Sequence, residues 1–130
     1  MEDFVTYNQA VKLKELGFDW ECYAYYLYDD KLNIGRQLQK YNSEWHLINL
    51  GYISAPTLAQ VQKWFREEYN IDICIMRSFA FTNPSYRYEI LMNNDYEDMT
   101  QRVSMPTTSY EHALSSAINK VLEFLKENGK

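Results

Sequence analysis

The stretch TYNQAVKLKELGFDWECYAYYLYDD, residues 6–30, carries a complete helix signal followed at once by a strand signal. Thr6 and Gln9 fit a capping box, in which the N-cap hydroxyl accepts from the N3 amide and the N3 side chain bonds back to the N-cap amide. Apolar residues then recur at helical spacing as far as Gly17, which suits the left-handed position after a helix. The pattern predicts a helix over about residues 7–16.

The second half of this stretch, residues 21–30, is rich in strand-forming residues and ends in a turn-prone Asp-Asp pair. Alternation predicts two faces, one with Tyr23, Tyr25 and Leu27 and the other with Cys22, Ala24, Tyr26 and Tyr28. Both faces are largely apolar. Such a strand is typically covered on two sides or borders an interface.

The helix signal returns twice, as TLAQ from Thr57 and as TSYE from Thr108, each time 51 residues further along the chain. An apolar run at helical spacing follows both tetrapeptides, and Asn70 marks the predicted end of the second helix. We interpret the three tetrapeptides as three helix starts. A duplicated helix–strand unit stays open as an alternative, because only two short windows match.

The segments between the helices predict further strands and turns. These are a short strand plus a mobile loop at 31–44, a strand at 45–54, and three antiparallel strands at 71–81, 86–92 and 99–105, the last three joined by turns at TNPS (82–85) and NNDYED (93–98). The element order is α-β-β(-β)-α-β-β-β-α. It predicts an α+β fold in which three amphipathic helices pack on a mainly antiparallel sheet of five to six strands, as a single domain over residues 1–130.

The charge balance bounds the partners. The formal net charge is −5 and the pI about 5.0, which argues against nonspecific binding to nucleic acid or to an anionic membrane. The chain opens on acidic MEDF, where a secretory signal would be basic, and no apolar run approaches the ~18 residues of a membrane span. We therefore expect a cytoplasmic protein that does not associate with membranes.

The residue types of common catalytic and metal sites are few and scattered. Cys22 and Cys74 lie in apolar strand patterns typical of inert thiols, while His46 and His112 are far from both in sequence. Two cysteines and two histidines at these spacings match no zinc pattern, and no phosphate-binding glycine motif occurs. We expect no catalytic residues, no metal and no cofactor, and hence a protein that is not an enzyme.

Aromatic residues give the strongest hint of a contact surface, since the chain holds 12 tyrosines. The predicted interaction surface consists of Tyr23, Tyr25, Tyr26, Tyr28 and Trp64. The expected partner is an unidentified protein or a second copy of the chain, which would give a homodimer. If residues 31–44 cover the tyrosine-rich face within one chain instead, we expect a monomer. Two alternatives stay open: a nucleic-acid-associated regulator that uses a basic loop of Lys31, Arg36 and Lys40, and a small-molecule binder with a tyrosine-lined pocket.

Three segments of this chain resemble a family of short, uncharacterised proteins encoded by phages and prophage-like regions of gut bacteria. They read FVTYNQAVKLKELGFDWECYAYY, NLGYISAPTLAQVQKWFREEYNID and SYEHALSSAINKVLEFL. The resemblance covers both ends and the centre of the chain, and it supplies no activity and no catalytic residues. It implies a small cytoplasmic accessory protein of a mobile element.

Overall fold

The computed structural model of the protein describes residues 3–78, 85–92, 102–103 and 109–127. In these residues the fold is α+β, as predicted. The helices are α1 (Tyr7–Glu15), α2 (Trp45–Ile48), α3 (Leu58–Tyr69) and α4 (Tyr110–Glu127); the strands are β1 (Cys22–Leu27), β2 (Leu32–Gln39), β3 (Tyr52–Ala55), β4 (Ile71–Ser78), β5 (Ser85–Met92) and β6 (Arg102–Val103).

The strands form two antiparallel sheets of three, in the orders β2-β1-β3 and β4-β5-β6, rather than the single sheet predicted. The internal contacts likewise divide the chain into two compact units. Unit 1 comprises residues 3–57 and 122–127, and unit 2 comprises the described residues from 58 to 121. The alternation of residues along a strand predicts its two faces but not which strands pair with it. The division into two sheets could therefore not be predicted from the sequence. The single domain over residues 1–130 stays a prediction.

The helix predicted from TYNQ is confirmed, together with both of its end structures. Thr6 Oγ1 accepts from the Gln9 amide at 3.2 Å, and Gln9 Oε1 accepts from the Thr6 amide at 2.9 Å. At the other end Gly17 adopts φ 92°, and the Phe18 amide donates to the Leu13 carbonyl at 3.0 Å. This hydrogen bond, together with the left-handed Gly17, forms a Schellman motif that ends the helix.

The other two helix starts differ in how far they follow the prediction. Helix α3 begins directly after Thr57 and ends before Asn70, which takes the left-handed φ of 57° expected at a helix end. Helix α4 is capped by Ser109, whose Oγ accepts from the His112 amide at 3.0 Å. The predicted cap at Thr108 is therefore wrong by one residue, because the neighbouring serine offers the same hydroxyl; Thr108 itself lies outside the described residues.

In unit 1 strand β1 is central, and its burial alternates as predicted. Ala24 and Tyr26 are buried while Tyr23 is exposed. The Tyr26 hydroxyl donates to the carbonyl of Val5 at 2.7 Å, which ties the chain before α1 to the sheet. The side chain of Asn42 is a second tie: it donates to the Phe18 carbonyl and accepts from the Ser54 amide, both at 2.9 Å.

The pairing of β2 with β1 is interrupted by a bulge. Ala24 pairs with Ile34 and Cys22 with Gln39, so that a step of two residues on β1 corresponds to a step of five on β2. Three additional residues on β2 therefore have no paired residue on β1. Among the residues between the two paired positions, 36–38 are all exposed. The outer strand of this sheet thus bends away from a regular ladder.

Two predictions between β1 and α3 are corrected. The mobile loop predicted within 31–44 is mostly the eight-residue strand β2. Its Asn, Gly, Arg and Gln residues are weak strand formers, so pairing with β1 decides the conformation. The strand predicted at 45–54 begins with α2, where the Ile48 amide donates to the Glu44 carbonyl at 3.0 Å, and only its second part forms β3. Gly51, at φ 90°, separates the two.

In unit 2 strands β4 and β5 pair regularly from Ile71 with Met92 to Ser78 with Ser85. Helix α3 packs against β4, and the Gln62 side chain donates to the Ile73 carbonyl at 2.7 Å. The turn predicted at 93–98, most of the turn predicted at 82–85 and most of the strand predicted at 99–105 lie outside the described residues, while Ser85 begins β5 rather than ending a turn. None of the helices described here is both long and apolar enough to span a membrane.

Candidate functional site

The predicted tyrosine surface is only partly a surface. Tyr25 is half-buried in a tyrosine cluster with Tyr41 and Tyr52, whose rings lie 4.9–5.5 Å apart between centroids. Tyr41, in the turn after β2, is 2 % exposed. Burial, followed by the neighbouring Tyr25 and Tyr52, raises the pKa of the Tyr41 hydroxyl, so it stays protonated near neutral pH. This part of the 31–44 segment therefore covers the tyrosine face of β1 from within the chain.

Two residues of the predicted surface are buried and are removed from it. Tyr26 lies on the inner face of β1 with Ala24, and its hydroxyl is bonded to Val5. Trp64 is 3 % exposed, because it lies within the apolar stripe of α3 and its ring packs 5.7 Å from Phe65. Tyr23 and Tyr28 remain exposed.

The three basic residues do not form a loop. Arg36 lies within β2, while Lys31 and Lys40 lie just before and just after it, all three exposed. Lys31 directly follows two aspartates, and the Lys31 amide donates to Asp29 Oδ1 at 3.0 Å. The positive charges are thus spaced four to five residues apart over residues 31–40, and two aspartates directly precede the first of them, so the sequence does not cluster them as a basic loop.

Exposed apolar side chains lie on β1 and β2, at Tyr23, Ile34 and Leu38, and a second group lies at the end of β1 and around α2. We call the group Tyr28, Trp45, Ile48 and Leu50 the α2 surface. Trp45 and Tyr28 are 78 % and 79 % exposed, and Ile48 and Leu50 are also exposed. A tryptophan so open to solvent is unusual, because its large apolar ring normally packs inside. Among the described residues, this makes the α2 surface the leading candidate for a contact site.

Local geometry joins these four residues. Trp45 and Ile48 are three apart on α2 and share a face of the helix, while Leu47 points inward and is buried. The Gly51 amide donates to the Ile48 carbonyl at 3.0 Å, which brings the chain back at the helix end. There the Tyr28 ring approaches Gly51 so closely that a Cβ on the glycine would lie 3.2 Å from Tyr28 Cε1. The ring of Tyr28 thus lies against the turn that follows α2.

The backbone of Tyr28 is strained. Its φ is 70°, in the left-handed region that bulky residues avoid. Within the described part of the chain, the only other non-glycine residue at positive φ is Asn70, whose short side chain suits that conformation. Strained residues of this kind are enriched at functional positions.

Sequence reasoning included Tyr28 but missed Trp45, Ile48 and Leu50. The sequence pattern predicts a strand at 45–54, in which Trp45 and Ile48 would point to opposite faces. The signal that could have corrected it is the pair Leu50-Gly51, where a glycine after an apolar residue indicates the end of a helix.

The cysteines and histidines considered as reactive pairs lie in different places. His46 is exposed on α2, 3.8 Å from Glu44, and His112 is exposed on α4. Neither cysteine forms a disulfide; Cys22 is buried, whereas Cys74 is only half-buried. In the described residues no group of three or more His, Cys, Asp or Glu side chains could hold a metal ion.

We expect Cys74 to react with a thiol reagent before Cys22 in the native protein near neutral pH. Burial raises the pKa of the Cys22 thiol to about 12 and also raises that of Cys74, but Cys74 is partly accessible. Time-resolved labelling measures the two rates, and the single-cysteine variants Cys22→Ala and Cys74→Ala assign them. Rapid native labelling of Cys22 would contradict this, since the buried thiol should react only after unfolding.

The same shift has a consequence for stability. Folding favours the protonated Cys22 thiol because its pKa is raised from 9.0 to about 12. Its contribution to the free energy of unfolding is therefore fully present below pH 9.0 and is lost as the pH rises towards about 12.

A cavity of about 400 Å³ opens at the start of α1. It is lined by Thr6, Tyr7, Asn8, Tyr26 and Asp30. The rings of Tyr7 and Tyr26 meet edge to face, with centroids 5.5 Å apart. Because Tyr26 is buried and its hydroxyl is bonded to Val5, the cavity offers a ligand little of the second ring.

Comparison of the chain with protein-family models, with curated proteins and with solved structures finds no match. The functional argument therefore rests on the residues and their geometry.

Proposed function

We propose that this chain is a non-catalytic accessory protein of a phage or other mobile element, and that it acts in the cytoplasm through protein–protein contacts. The observation that supports the contact role is the 78 % exposure of Trp45 in the α2 surface. Tryptophan and tyrosine are the residues enriched at the energetic centres of protein interfaces. The mobile-element origin rests on the sequence resemblance alone.

The size of the α2 surface fits this proposal. Its two aromatic and two aliphatic side chains expose on the order of 500 Å² of largely apolar area. A patch of that size is at the upper end of what monomeric proteins leave open, and such patches are often contact sites. A protein partner could bury the α2 surface without contacting Lys31, Arg36 or Lys40.

Photocrosslinking tests the proposal directly. A photoreactive phenylalanine analogue in place of Trp45 should give covalent protein adducts in cells that naturally carry the gene, because the ring lies at the proposed interface. The matched control places the same analogue at Met76, an exposed apolar residue of β4 in unit 2. Adducts that form at position 45 but not at 76 support the proposal. If position 45 yields none while the protein is folded, the contact role is rejected.

A small-molecule binder is the second candidate, supported by the cavity at the start of α1. Its volume falls within the range of ligand pockets, and Asp30 with the ring of Tyr7 would favour a cationic group. It ranks below the contact role because the cavity is wide open and Tyr26 is mostly withdrawn from it. The nucleic-acid alternative has no such support, since the basic residues are dispersed.

A further inference from the structure

We infer that the partner of the α2 surface is a second copy of this chain, which docks through the same four residues. This inference rests on the proposed contact role and names its partner. Three features of the described residues carry it: the area of the surface, the charges that border it, and the strained position of Tyr28.

The area is sufficient for a modest dimer. Two α2 surfaces facing each other across a two-fold axis would bury on the order of 1,000 Å² of side-chain area, which is about the lower limit for a specific interface. Interfaces between identical chains are also more apolar at their centre than other interfaces, and all four residues of the α2 surface have large apolar side chains. The expected dimer is therefore weak and reversible.

The border of the surface carries three carboxylates, Asp29, Asp30 and Glu44, and the ammonium group of Lys31. Asp29 and Lys31 lie on either side of Asp30 next to Tyr28, and Glu44 and His46 flank Trp45. Glu44 and His46 already approach each other to 3.8 Å. Lys31 of one copy can oppose a carboxylate of the other across a two-fold axis, which offsets part of the repulsion among the carboxylates.

Tyr28 gives the inference its most specific consequence. The residue holds a left-handed backbone that asparagine would adopt with less strain, and its ring is 79 % exposed in the single chain. A backbone in the left-handed region at a residue that packs little within the monomer is explained if its ring is buried by the partner. Tyr28→Asn should accordingly stabilise the monomer while it weakens the dimer.

Sedimentation velocity over a micromolar concentration range tests this on the full chain. The wild-type mass should rise from monomer to dimer, Trp45→Ser should remain monomeric, and Tyr28→Asn should weaken association by about tenfold or more. Thermal melting at concentrations where all variants are monomeric should show Tyr28→Asn about 2–8 °C above the wild type. Tyr23→Ser, which removes an exposed tyrosine of β1 outside the α2 surface, is the control and should associate like the wild type.

A wild-type chain that stays monomeric throughout the range overturns the second copy as partner. The proposed contact role then depends on the crosslinking result, in which adducts with a different protein at position 45 would uphold it. A dimer that both Trp45→Ser and Tyr28→Asn leave unchanged also overturns the inference, because it must form elsewhere. A lower melting temperature for Tyr28→Asn also overturns the inference, because Tyr28 would then serve the fold of the monomer.

Discussion

Tyr41→Ala is expected to lower the free energy of unfolding by about 3–5 kcal/mol, the range found for removing a large buried aromatic side chain. Tyr41 is almost fully buried and stacks on Tyr52, with ring planes 14° apart and centroids at 5.5 Å. Its loss leaves a cavity and uncovers Tyr25 on the outer face of β1. Urea denaturation followed by circular dichroism measures the change.

Tyr41→Phe is the matched control for this prediction. It keeps the ring and its contacts with Tyr25 and Tyr52, so most of the stability should be retained. If alanine and phenylalanine at position 41 were equally well tolerated, the tyrosine cluster would not be the cover of this sheet.

Gly35→Ala is expected to destabilise the protein by about 1–3 kcal/mol, as overpacking typically does. A Cβ at this position would lie 2.7 Å from the Tyr41 hydroxyl and 3.1 Å from the Tyr23 carbonyl oxygen. Tyr41 has little room to retreat, because its ring is held between Tyr25 and Tyr52. Elsewhere in a strand the same substitution would usually stabilise, since alanine restricts the unfolded chain more than glycine does.

A double-mutant cycle separates this contact from other effects of the new methyl group. In the Tyr41→Phe background the hydroxyl is gone, so Gly35→Ala should destabilise less than it does in the wild type. Equal losses in the two backgrounds would mean that the hydroxyl of Tyr41 is not what excludes a side chain at position 35.

The features that the sequence predicted well are those set by neighbours along the chain. The capping box of Thr6 and Gln9, the helix end at Gly17 and the alternation along β1 all depend on residues within a few positions of one another. The same holds for Asn70 at the end of α3. These local signals survive because the tertiary structure agrees with them.

The features that it did not predict are set by residues far apart. Strand β2 forms because β1 pairs with it, despite a composition that suits a loop. The burial of Trp64 depends on the packing of its whole helix face, and the exposure of Trp45 arises because α2 is too short to show a repeating pattern. A candidate site built from such residues is therefore visible only in three dimensions.

The bulge in β2 affects the tendency of this chain to aggregate at high concentration. A strand at the border of a sheet can act as a template on which further strands add, and such addition propagates into fibrils. In the described part of the sheet, the outer row of backbone groups on β2 is broken by residues 36–38 and bounded by Lys31 and Lys40, all features that obstruct such templating. The dimer proposed above through the α2 surface would have the opposite character, because a two-fold contact is satisfied by one partner and goes no further.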